Sequence, residues 1–247
     1  MSQVLCGRHP VLHAVKAGRR KVERVTLSEN IPEGEKAQIL SLLKERKIPC
    51  EIKEAGYLSK IAPLERHQGF VAEVSDYPYV SLDEILQSAA PKKRGIVLVL
   101  DEVQDPQHLG ALIRAACCFG VEGVMIPEGH ASQITPTAAR ASSGGIEYLK
   151  IARISSIAKG LDRFKEAQFW VYGTEAEAKD SIENQDFNSQ VALVIGSEGR
   201  GMRRLVREKC DLLVSIPISG PVTSLSASAA GAVALYTIAR KQSQKIQ

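Results

Sequence analysis

The sequence contains few cysteines, and their spacing argues against the sites that cysteines usually form. The 247 residues include five cysteines, an odd number, and none of them forms a C-x-x-C pair. A disulfide framework needs paired cysteines, and a structural zinc site usually needs closely spaced ones. We therefore expect neither a disulfide nor a zinc site, and instead predict buried thiols in a reducing cytoplasm.

The sequence shows no long apolar run, and we expect no leader segment. The longest stretch of small apolar residues, Ala227 to Ala239, is too short to span a bilayer. The first residues, Met1-Ser-Gln-Val, show no basic segment followed by an apolar core. The sequence therefore predicts a cytoplasmic protein that does not enter a membrane.

Charge of one sign is not concentrated in the chain. The net charge is +4 and the isoelectric point is near 8.8, a mild basic excess that is compatible with nucleic acid without identifying it. Hydrophobic residues make up 44% of the chain, enough for a proper core in one large or two small domains. No internal repeat or metal-ligand cluster is visible.

The order of apolar runs and turn residues predicts two domains. Residues 1–76 have the pattern of a small α/β unit. Residues 77–94 are predicted to be a linker, because prolines and residues of like charge occur at its ends. From residue 95 to residue 247, strand-like and helix-like segments alternate. This alternation favours a mostly parallel sheet that is covered by helices on both faces.

A basic turn in the first domain has two interpretations. Arg19, Arg20 and Lys21 precede the first clear strand, Val22 to Leu27, and Arg24 near the start of that strand completes a basic cluster. The cluster either contacts RNA phosphates or is simply a solvated turn, and the sequence leaves both open.

The last third of the chain carries two glycine- or serine-rich loops. The apolar run Val191–Ile195 stops at Gly196-Ser-Glu-Gly-Arg-Gly-Met202, and Ile216-Pro217-Ile218 closes a second short strand. The stretch Ser219–Ser226 then leads into a helix, Ala227 to Arg240. A nucleotide-phosphate loop is disfavoured, because the glycine order is G-x-x-G-x-G and no Gly-Lys-Ser/Thr follows. Two such loops after neighbouring strands can enclose a small flat ligand with main-chain groups.

Three motifs resemble those of the SpoU/TrmH family of RNA ribose 2′-O-methyltransferases. They are Asp105-Pro106-x-x-x-Gly110-x-x-x-Arg114, the loop Gly196-Ser-Glu-Gly-x-Gly201, and Ile216-Pro217 with Ser224-Leu225-x-x-Ser228. The resemblance covers residues 95–247, and residues 1–76 resemble the ribosomal-protein-like RNA-binding domain that precedes the catalytic domain in this family. Length and this first segment are most similar to the subgroup that methylates a guanosine ribose in 23S ribosomal RNA.

The resemblance implies a fold, a cofactor and partners. It implies a trefoil knot at the carboxyl end, S-adenosylmethionine as methyl donor, an RNA substrate, no metal, and a homodimer that pairs around its carboxyl-terminal helices. It places the donor at the two loops, at Gly196, Gly201, Ile216, Ile218 and Leu225.

The resemblance also implies catalytic residues. Arg114 corresponds to the motif arginine of the family. Because a guanidinium is a poor base at neutral pH, we expect Arg114 to hold the acceptor phosphate and stabilise developing negative charge. Glu198 is expected to orient Arg114 or a loop, and Ser224 to cap the last helix or donate toward the substrate. A surface arginine and a solvated loop glutamate are the simpler interpretations.

Two positions depart from the family pattern. His108 and Ser226 stand where the family usually has asparagine. Both replacements lose an amide that can donate and accept at once. We hypothesise that His108, near a helix start, accepts a proton or a hydrogen bond in the place of the asparagine. Six helical residues turn the chain by roughly 600°, so His108 and Arg114 should lie about 120° apart around the helix.

Four functional hypotheses remain open at this stage. The first is methylation of 23S ribosomal RNA, and the second is a tRNA ribose methyltransferase of the same family. The third is a weak or inactive relative that binds RNA or assists ribosome assembly, motivated by His108 and Ser226. The fourth, a nicotinamide-dependent enzyme, has the wrong glycine order and no clear acidic ribose ligand. Binding of the methyl donor separates the first two from the others.

Overall fold

The computed structural model describes residues 2–62 and 66–244. Its strands are β1 (Ser2–Cys6), β2 (Val22–Ser28), β3 (Cys50–Lys53), β4 (Phe70–Ser75), β5 (Ile96–Leu100), β6 (Gly123–Pro127), β7 (Lys150–Ile154), β8 (Trp170–Thr174), β9 (Asp180–Ser181), β10 (Val191–Ile195) and β11 (Leu212–Ser215). Its α-helices are α1 (Arg8–Ala17), α2 (Glu33–Glu45), α3 (Ala55–Ile61), α4 (Leu82–Ala89), α5 (Pro106–Cys118), α6 (Pro136–Ala141), α7 (Ile157–Glu166), α8 (Arg204–Lys209) and α9 (Ala227–Gln244). Short 3₁₀ turns span Gly145–Glu147 and Ile182–Asn184.

The chain divides into two compact units. Unit 1 comprises Met1–Pro78 together with Ile134–Tyr148, and unit 2 comprises Tyr79–Gln133 with Leu149–Gln247. The segment Ile134–Tyr148, which sequence patterns assign to the second domain, thus clusters with the amino-terminal residues. The predicted linker contains a helix, α4, whose first turn is closed by a capping box between Ser81 and Glu84.

Unit 1 is built on a four-stranded sheet. The strand order is β1-β4-β2-β3, with β4 antiparallel to both of its neighbours and β3 parallel to β2. Helix α1 ends at Gly18, which adopts a left-handed conformation and donates its N–H to the carbonyl of Ala14 at 3.2 Å. The buried side chains include Leu5, Val11 and Leu27.

The basic turn of unit 1 is not a uniform phosphate patch. The Arg20 guanidinium is fully buried and lies 2.7 Å from the carboxylate of Glu147, which is buried as well. A further nitrogen of Arg20 donates to the side-chain carbonyl of Gln3 at 3.1 Å. The phosphate interpretation is therefore wrong for Arg20, because its charge is already neutralised inside the protein. Lys21 and Arg24 remain exposed.

Unit 2 contains a parallel sheet, as predicted. The strand order is β7-β6-β5-β10-β8-β11-β9, and every pairing recorded between these strands is parallel. On one face, α4, α7 and α8 bury Ile85, Phe164 and Val206 against the sheet. The opposite face is covered by α5 and α9. There Gly231 approaches Leu112 so closely that a Cβ would lie 2.2 Å from its methyl carbon.

The strand order places late segments between early ones. After β8 the chain forms β9 at the sheet edge, returns to place β10 between β5 and β8, and then places β11 between β8 and β9. This is the region in which the resemblance predicts the knot. Because the strands are parallel, the loops that follow β5, β10 and β11 emerge at the same edge of the sheet. The second loop begins earlier than predicted, since β11 ends at Ser215, before Ile216-Pro217-Ile218.

Within the described residues, the helices are too short or too polar to cross a membrane.

Candidate active site

A cavity of about 510 Å³ lies in unit 2 at the carboxyl ends of β8, β10 and β11. The residues predicted to hold a donor line this one cavity, namely Gly196, Gly201, Ile216, Ile218 and Leu225. They come from two loops that are about twenty residues apart in the chain, and the parallel sheet brings them together. Their contact with a donor stays a prediction.

The first loop is a tight turn that requires glycine at Gly196. The N–H of Ser197 donates to the carbonyl of Gly201 at 3.0 Å, and the N–H of Gly201 donates to the carbonyl of Ser197 at 3.0 Å. A Cβ at Gly196 would lie 2.3 Å from the carbonyl carbon of Gly201. Any side chain at Gly196 would therefore push the two sides of the loop apart.

An ion pair between a buried carboxylate and an exposed arginine, which the motifs did not indicate, anchors this loop. Asp101 follows β5 with its side chain fully buried, and Arg203 precedes α8. Arg203 donates to Asp101 through Nη2 at 2.6 Å and through its backbone N–H at 2.8 Å. The hydrogen bond to Asp101 raises the pKa of Arg203, so the pair stays charged. No sequence signal links the two positions, because only the fold makes them neighbours.

The cavity lining suits a flat, positively charged ligand. Its apolar part includes Ile195, Val214 and Leu225, and its charged part contains the carboxylates of Glu175, Glu177 and Glu198 with the guanidinium of Arg200. The volume falls in the range of about 300–1,000 Å³ that is usual for small-molecule sites. The S-adenosylmethionine adenine can lie between apolar groups. Arg207 engages the Glu175 carboxylate at 3.0 Å, and among the other lining groups Glu177 and Glu198 outnumber Arg200 and favour the sulfonium cation. The residues present therefore fit this donor.

A second cavity of about 320 Å³ adjoins the first. It is lined by the loop after β5, by His108 on the first turn of α5, and by Ser197, Glu198 and Arg200, which also line the first cavity. Asp105 begins α5 as its N-cap and accepts the N–H of Gln107 at 2.7 Å. The cap fixes the direction in which α5 leaves the loop, and His108 on its first turn lines the second cavity beside Glu198, which lines both cavities.

Glu198 connects α5 to α9. Its Oε1 atom lies 2.8 Å from Nδ1 of His108 and accepts the backbone N–H of Ala227 at 3.3 Å. Glu198 was expected to orient Arg114 or a loop, and the contacts recorded for its side chain in the described part of the chain go to His108 and Ala227. Glu198 instead orients His108 and the beginning of the last helix.

Arg114 does not join the other predicted catalytic residues. It is exposed on α5 and lines neither cavity. The described residues give it no hydrogen bond or ion pair. Arg114 and His108 point in directions about 120° apart around α5, so Arg114 does not face the cavity that His108 lines.

The two serines of the second loop have different places. Ser224 lines the first cavity. Ser226 begins α9, where its hydroxyl accepts the N–H of Ala229 at 3.2 Å and its carbonyl accepts the N–H of Ala230 at 2.9 Å. The expected helix cap is thus Ser226 and not Ser224. Serine and asparagine are comparable N-caps, so this departure from the family pattern retains a capping side chain.

Over residues 2–62 and 66–244, no group of three or more His, Cys, Asp or Glu side chains is arranged to hold a metal ion.

Unit 2 is a parallel α/β domain whose loops form a cavity at the carboxyl ends of the strands. This is the arrangement of α/β proteins that bind small ligands at that edge of the sheet. The family model of the SpoU rRNA Methylase family matches residues 95–236, and the model described as RNA 2′-O ribose methyltransferase substrate binding matches residues 4–80. The chain therefore belongs to the SpoU rRNA methylase family. It is an S-adenosylmethionine-dependent RNA methyltransferase with an amino-terminal substrate-binding region, as the motifs predict.

Relatives and solved structures agree with this assignment. The chain is 39% identical over 237 residues to the putative TrmH family tRNA/rRNA methyltransferase YacO of Bacillus subtilis, covering 96% of this chain and 94% of the relative. It is 37% identical over 240 residues to a putative TrmH family tRNA/rRNA methyltransferase of Staphylococcus aureus, covering 97% and 96%. Among crystal structures, the SpoU methyltransferase AviRb from Streptomyces viridochromogenes in complex with AdoMet superposes with a TM-score of 0.81 at 25% identity, covering 99% of this chain and 91% of that chain.

Proposed function

We propose that the protein methylates the ribose 2′-hydroxyl of a guanosine in 23S ribosomal RNA, with S-adenosylmethionine as donor. The observation that carries the proposal is the pair of adjoining cavities that share Ser197, Glu198 and Arg200. One cavity fits the donor, and the other offers an imidazole and carboxylates beside it. The choice of 23S RNA rests on the length and amino-terminal segment of the chain.

The donor is held by the two loops of the first cavity. When bound, S-adenosylmethionine supplies an electrophilic methyl group on a sulfonium. Ile216, Ile218 and Leu225 offer apolar contacts to the adenine, and the loop between Gly196 and Gly201 offers main-chain groups at close approach. Ser224 lies at the rim, where its hydroxyl can donate toward the ribose of the substrate.

The acceptor side requires RNA to be held and oriented. Correct alignment of the reacting oxygen alone supplies a large part of the rate, on the order of 7–11 kcal/mol in favourable cases. Arg114 has no protein partner among the described residues, so its guanidinium is available to hold an RNA phosphate through two hydrogen bonds. Exposed Lys21 of unit 1 is a further candidate for phosphate contact, whereas Arg24 already pairs with Glu51 at 3.2 Å.

A homodimer is part of the proposal. Helix α9 exposes Val233 and Tyr236, and the Tyr236 ring contacts Phe119, the residue after α5, at 5.8 Å between centroids. Large apolar side chains exposed together on one helix pair suit a contact with a second copy of the chain. Sedimentation of the wild type as a dimer, and of Val233→Glu as a monomer, is the expected result. A monomeric wild type contradicts this part.

His108 and Ser226, which stand where the family usually has asparagine, do not favour an inactive protein that only binds RNA. Ser226 caps α9, and His108 donates to Glu198, so both positions keep hydrogen-bonding functions in the site. tRNA is the second candidate substrate, because the named relatives are described as tRNA/rRNA methyltransferases.

The test uses RNA from cells that lack this protein. Purified ribosomal RNA and tRNA are incubated separately with the protein and tritiated donor, and ribose methylation is detected as alkali-resistant dinucleotides. We expect label in 23S RNA at one guanosine, and none with the Gly196→Ala variant. Label in tRNA alone selects the second candidate. A wild-type protein that binds donor but labels neither RNA contradicts both.

A further inference from the structure

His108 and Glu198 form a side-chain contact in the smaller cavity of unit 2. Nδ1 of His108 lies 2.8 Å from Oε1 of Glu198, a distance typical of a charge-assisted hydrogen bond. The imidazole is partly buried, with 27% of its side chain exposed, and it lines the smaller cavity. The described residues supply no partner for the other ring nitrogen, Nε2.

The contact selects one tautomer of the imidazole. A carboxylate can only accept a hydrogen bond, so Nδ1 of His108 carries the proton. In the neutral ring Nε2 is then the nitrogen with the free electron pair. Glu198 is itself held in place by the backbone N–H of Ala227 at 3.3 Å, at the positive end of α9. A base oriented by a fixed carboxylate is a recurring arrangement in catalysis.

From these contacts we propose that His108 is the general base of the reaction and that Glu198 is its positioning residue. The inference rests on the proposed ribose methylation. Nε2 takes the proton of the 2′-hydroxyl as its O–H bond breaks and the oxygen forms a bond to the methyl carbon. The electron pair of the breaking carbon–sulfur bond stays on sulfur, which leaves as a neutral thioether. The imidazolium that results is paired with Glu198 and returns its proton to solvent.

The charges around His108 support this direction of proton transfer. The loop after β5 contributes Glu102 and Asp105 to the same cavity, and the loop after β10 contributes Glu198 and Arg200. Arg203 engages Glu102 at 3.3 Å, so the carboxylate that acts directly on the imidazolium formed by proton transfer is Glu198, 2.8 Å from Nδ1. A ring that already carries both protons cannot accept another, so the proposed role requires a rate that falls in acid.

Arg114 is the less suitable base on physical grounds. A guanidinium holds its proton tightly and is almost never neutral in a protein. Arg114 is also exposed and lines neither cavity. His108, in contrast, lines the cavity that adjoins the proposed donor site, and a neutral imidazole can accept a proton.

The first readout needs neither donor nor RNA. Nitrogen-15 NMR of the histidine side chains of the ligand-free protein reports which ring nitrogen carries the proton, and the His108→Asn variant assigns the His108 signals. We expect Nδ1–H for His108 in the wild type and a shift toward mixed tautomers in Glu198→Ala. An Nε2–H tautomer in the wild type overturns the proposal.

The second readout is the single-turnover methylation rate on ribosomal RNA from cells that lack this protein, measured between acid and alkaline pH. We expect the wild-type rate to fall by about tenfold for each pH unit on the acid side. His108→Asn, which restores the residue usual in the family, should lose that dependence and about a hundredfold in rate. His130→Asn is the matched control, because His130 is exposed outside both cavities and its φ of 57° is one that asparagine tolerates.

The outcomes distinguish the assignment of His108 as the base from the proposed ribose methylation. A His108→Asn variant with the wild-type rate and pH profile overturns the assignment of the base and leaves the proposed function standing. A wild type that methylates no RNA overturns both. Unchanged donor binding by His108→Asn, measured by calorimetry, shows that a lost rate is not the result of a lost fold.

Discussion

Arg203 donates to the buried carboxylate of Asp101, although the two residues are 102 positions apart in the chain. The Nη2–Oδ1 distance is 2.6 Å, the Nε–Oδ1 distance is 2.8 Å, and the backbone N–H of Arg203 reaches Oδ2 at 2.8 Å. The pair joins the end of β5 to the end of the glycine loop after β10. It therefore holds in place the two loops that line the proposed site.

Arg203→Ala should destabilise unit 2 and weaken donor binding. The substitution leaves the Asp101 carboxylate buried without its cation, which costs about 3–5 kcal/mol when both partners are buried. Because the Arg203 side chain is 44% exposed, water can partly replace it, and we expect about 2 kcal/mol. Urea unfolding measures the loss. Arg204→Ala is the control, since the Arg204 side chain is 91% exposed, and an equal loss in both variants contradicts the assigned role.

Arg20→Ala should destabilise unit 1 more strongly. The side chains of Arg20 and Glu147 are both fully buried, so the variant leaves an unpaired charge inside the protein at a cost of about 3 kcal/mol or more. Hydrogen exchange of the β1 and α1 amides measures local stability, and we expect faster exchange. Lys21→Ala, at the exposed neighbouring position, should leave the exchange unchanged. Unaltered exchange in Arg20→Ala would show that the pair contributes nothing to stability.

Strands with an uninterrupted apolar run were predictable from the sequence alone. The predicted bounds of β5 (Ile96–Leu100) and β10 (Val191–Ile195) agree with the structure, because a strand buried on both faces contains only apolar residues. β1 was not predicted. Its five residues carry little local signal, and their place is set by pairing with β4 about seventy residues later. The apolar residues also predicted that β11 continues to Ile218. The strand ends before Pro217, which has no N–H to donate to a neighbouring strand.

The site was predictable where a motif contains its residues and not where the fold brings residues together. The loop glycines, Ile216 and Leu225 line one cavity. The partner of Glu198 was not predictable, because a helical rotation decides that His108 and not Arg114 lies beside it. Asp101 and Arg203 belong to none of the quoted motifs.

Ser226→Ala should destabilise α9 by about 1 kcal/mol, because the hydroxyl that accepts the N–H of Ala229 is lost. Ser226→Asn should be within a few tenths of a kcal/mol of the wild type, since asparagine caps helices about as well as serine. Thermal unfolding of the three proteins measures the difference. Equal destabilisation by alanine and asparagine would contradict a capping role for Ser226.

Thiol reactivity should differ sharply between two cysteines. Burial raises the pKa of Cys210 to about 12, so almost none of it is thiolate at pH 8, whereas Cys118 is exposed. A disulfide reagent at pH 8 should modify Cys118 first, and Cys118→Ser should lose the fastest phase. The reactivity of Cys210 should rise only at strongly alkaline pH or on unfolding. Modification of Cys210 as fast as that of Cys118 contradicts the burial.

Calorimetric titration with S-adenosylmethionine tests the central claim, that the two loops after β10 and β11 hold the donor. We expect saturable binding of about one donor per chain by the wild type. Gly196→Ala should lose it, because the new Cβ would lie 2.3 Å from Gly201. Gly220→Ala should retain it, since a Cβ there meets no atom within 4 Å. Absence of binding by folded wild-type protein, or equal binding by Gly196→Ala, would contradict the claim.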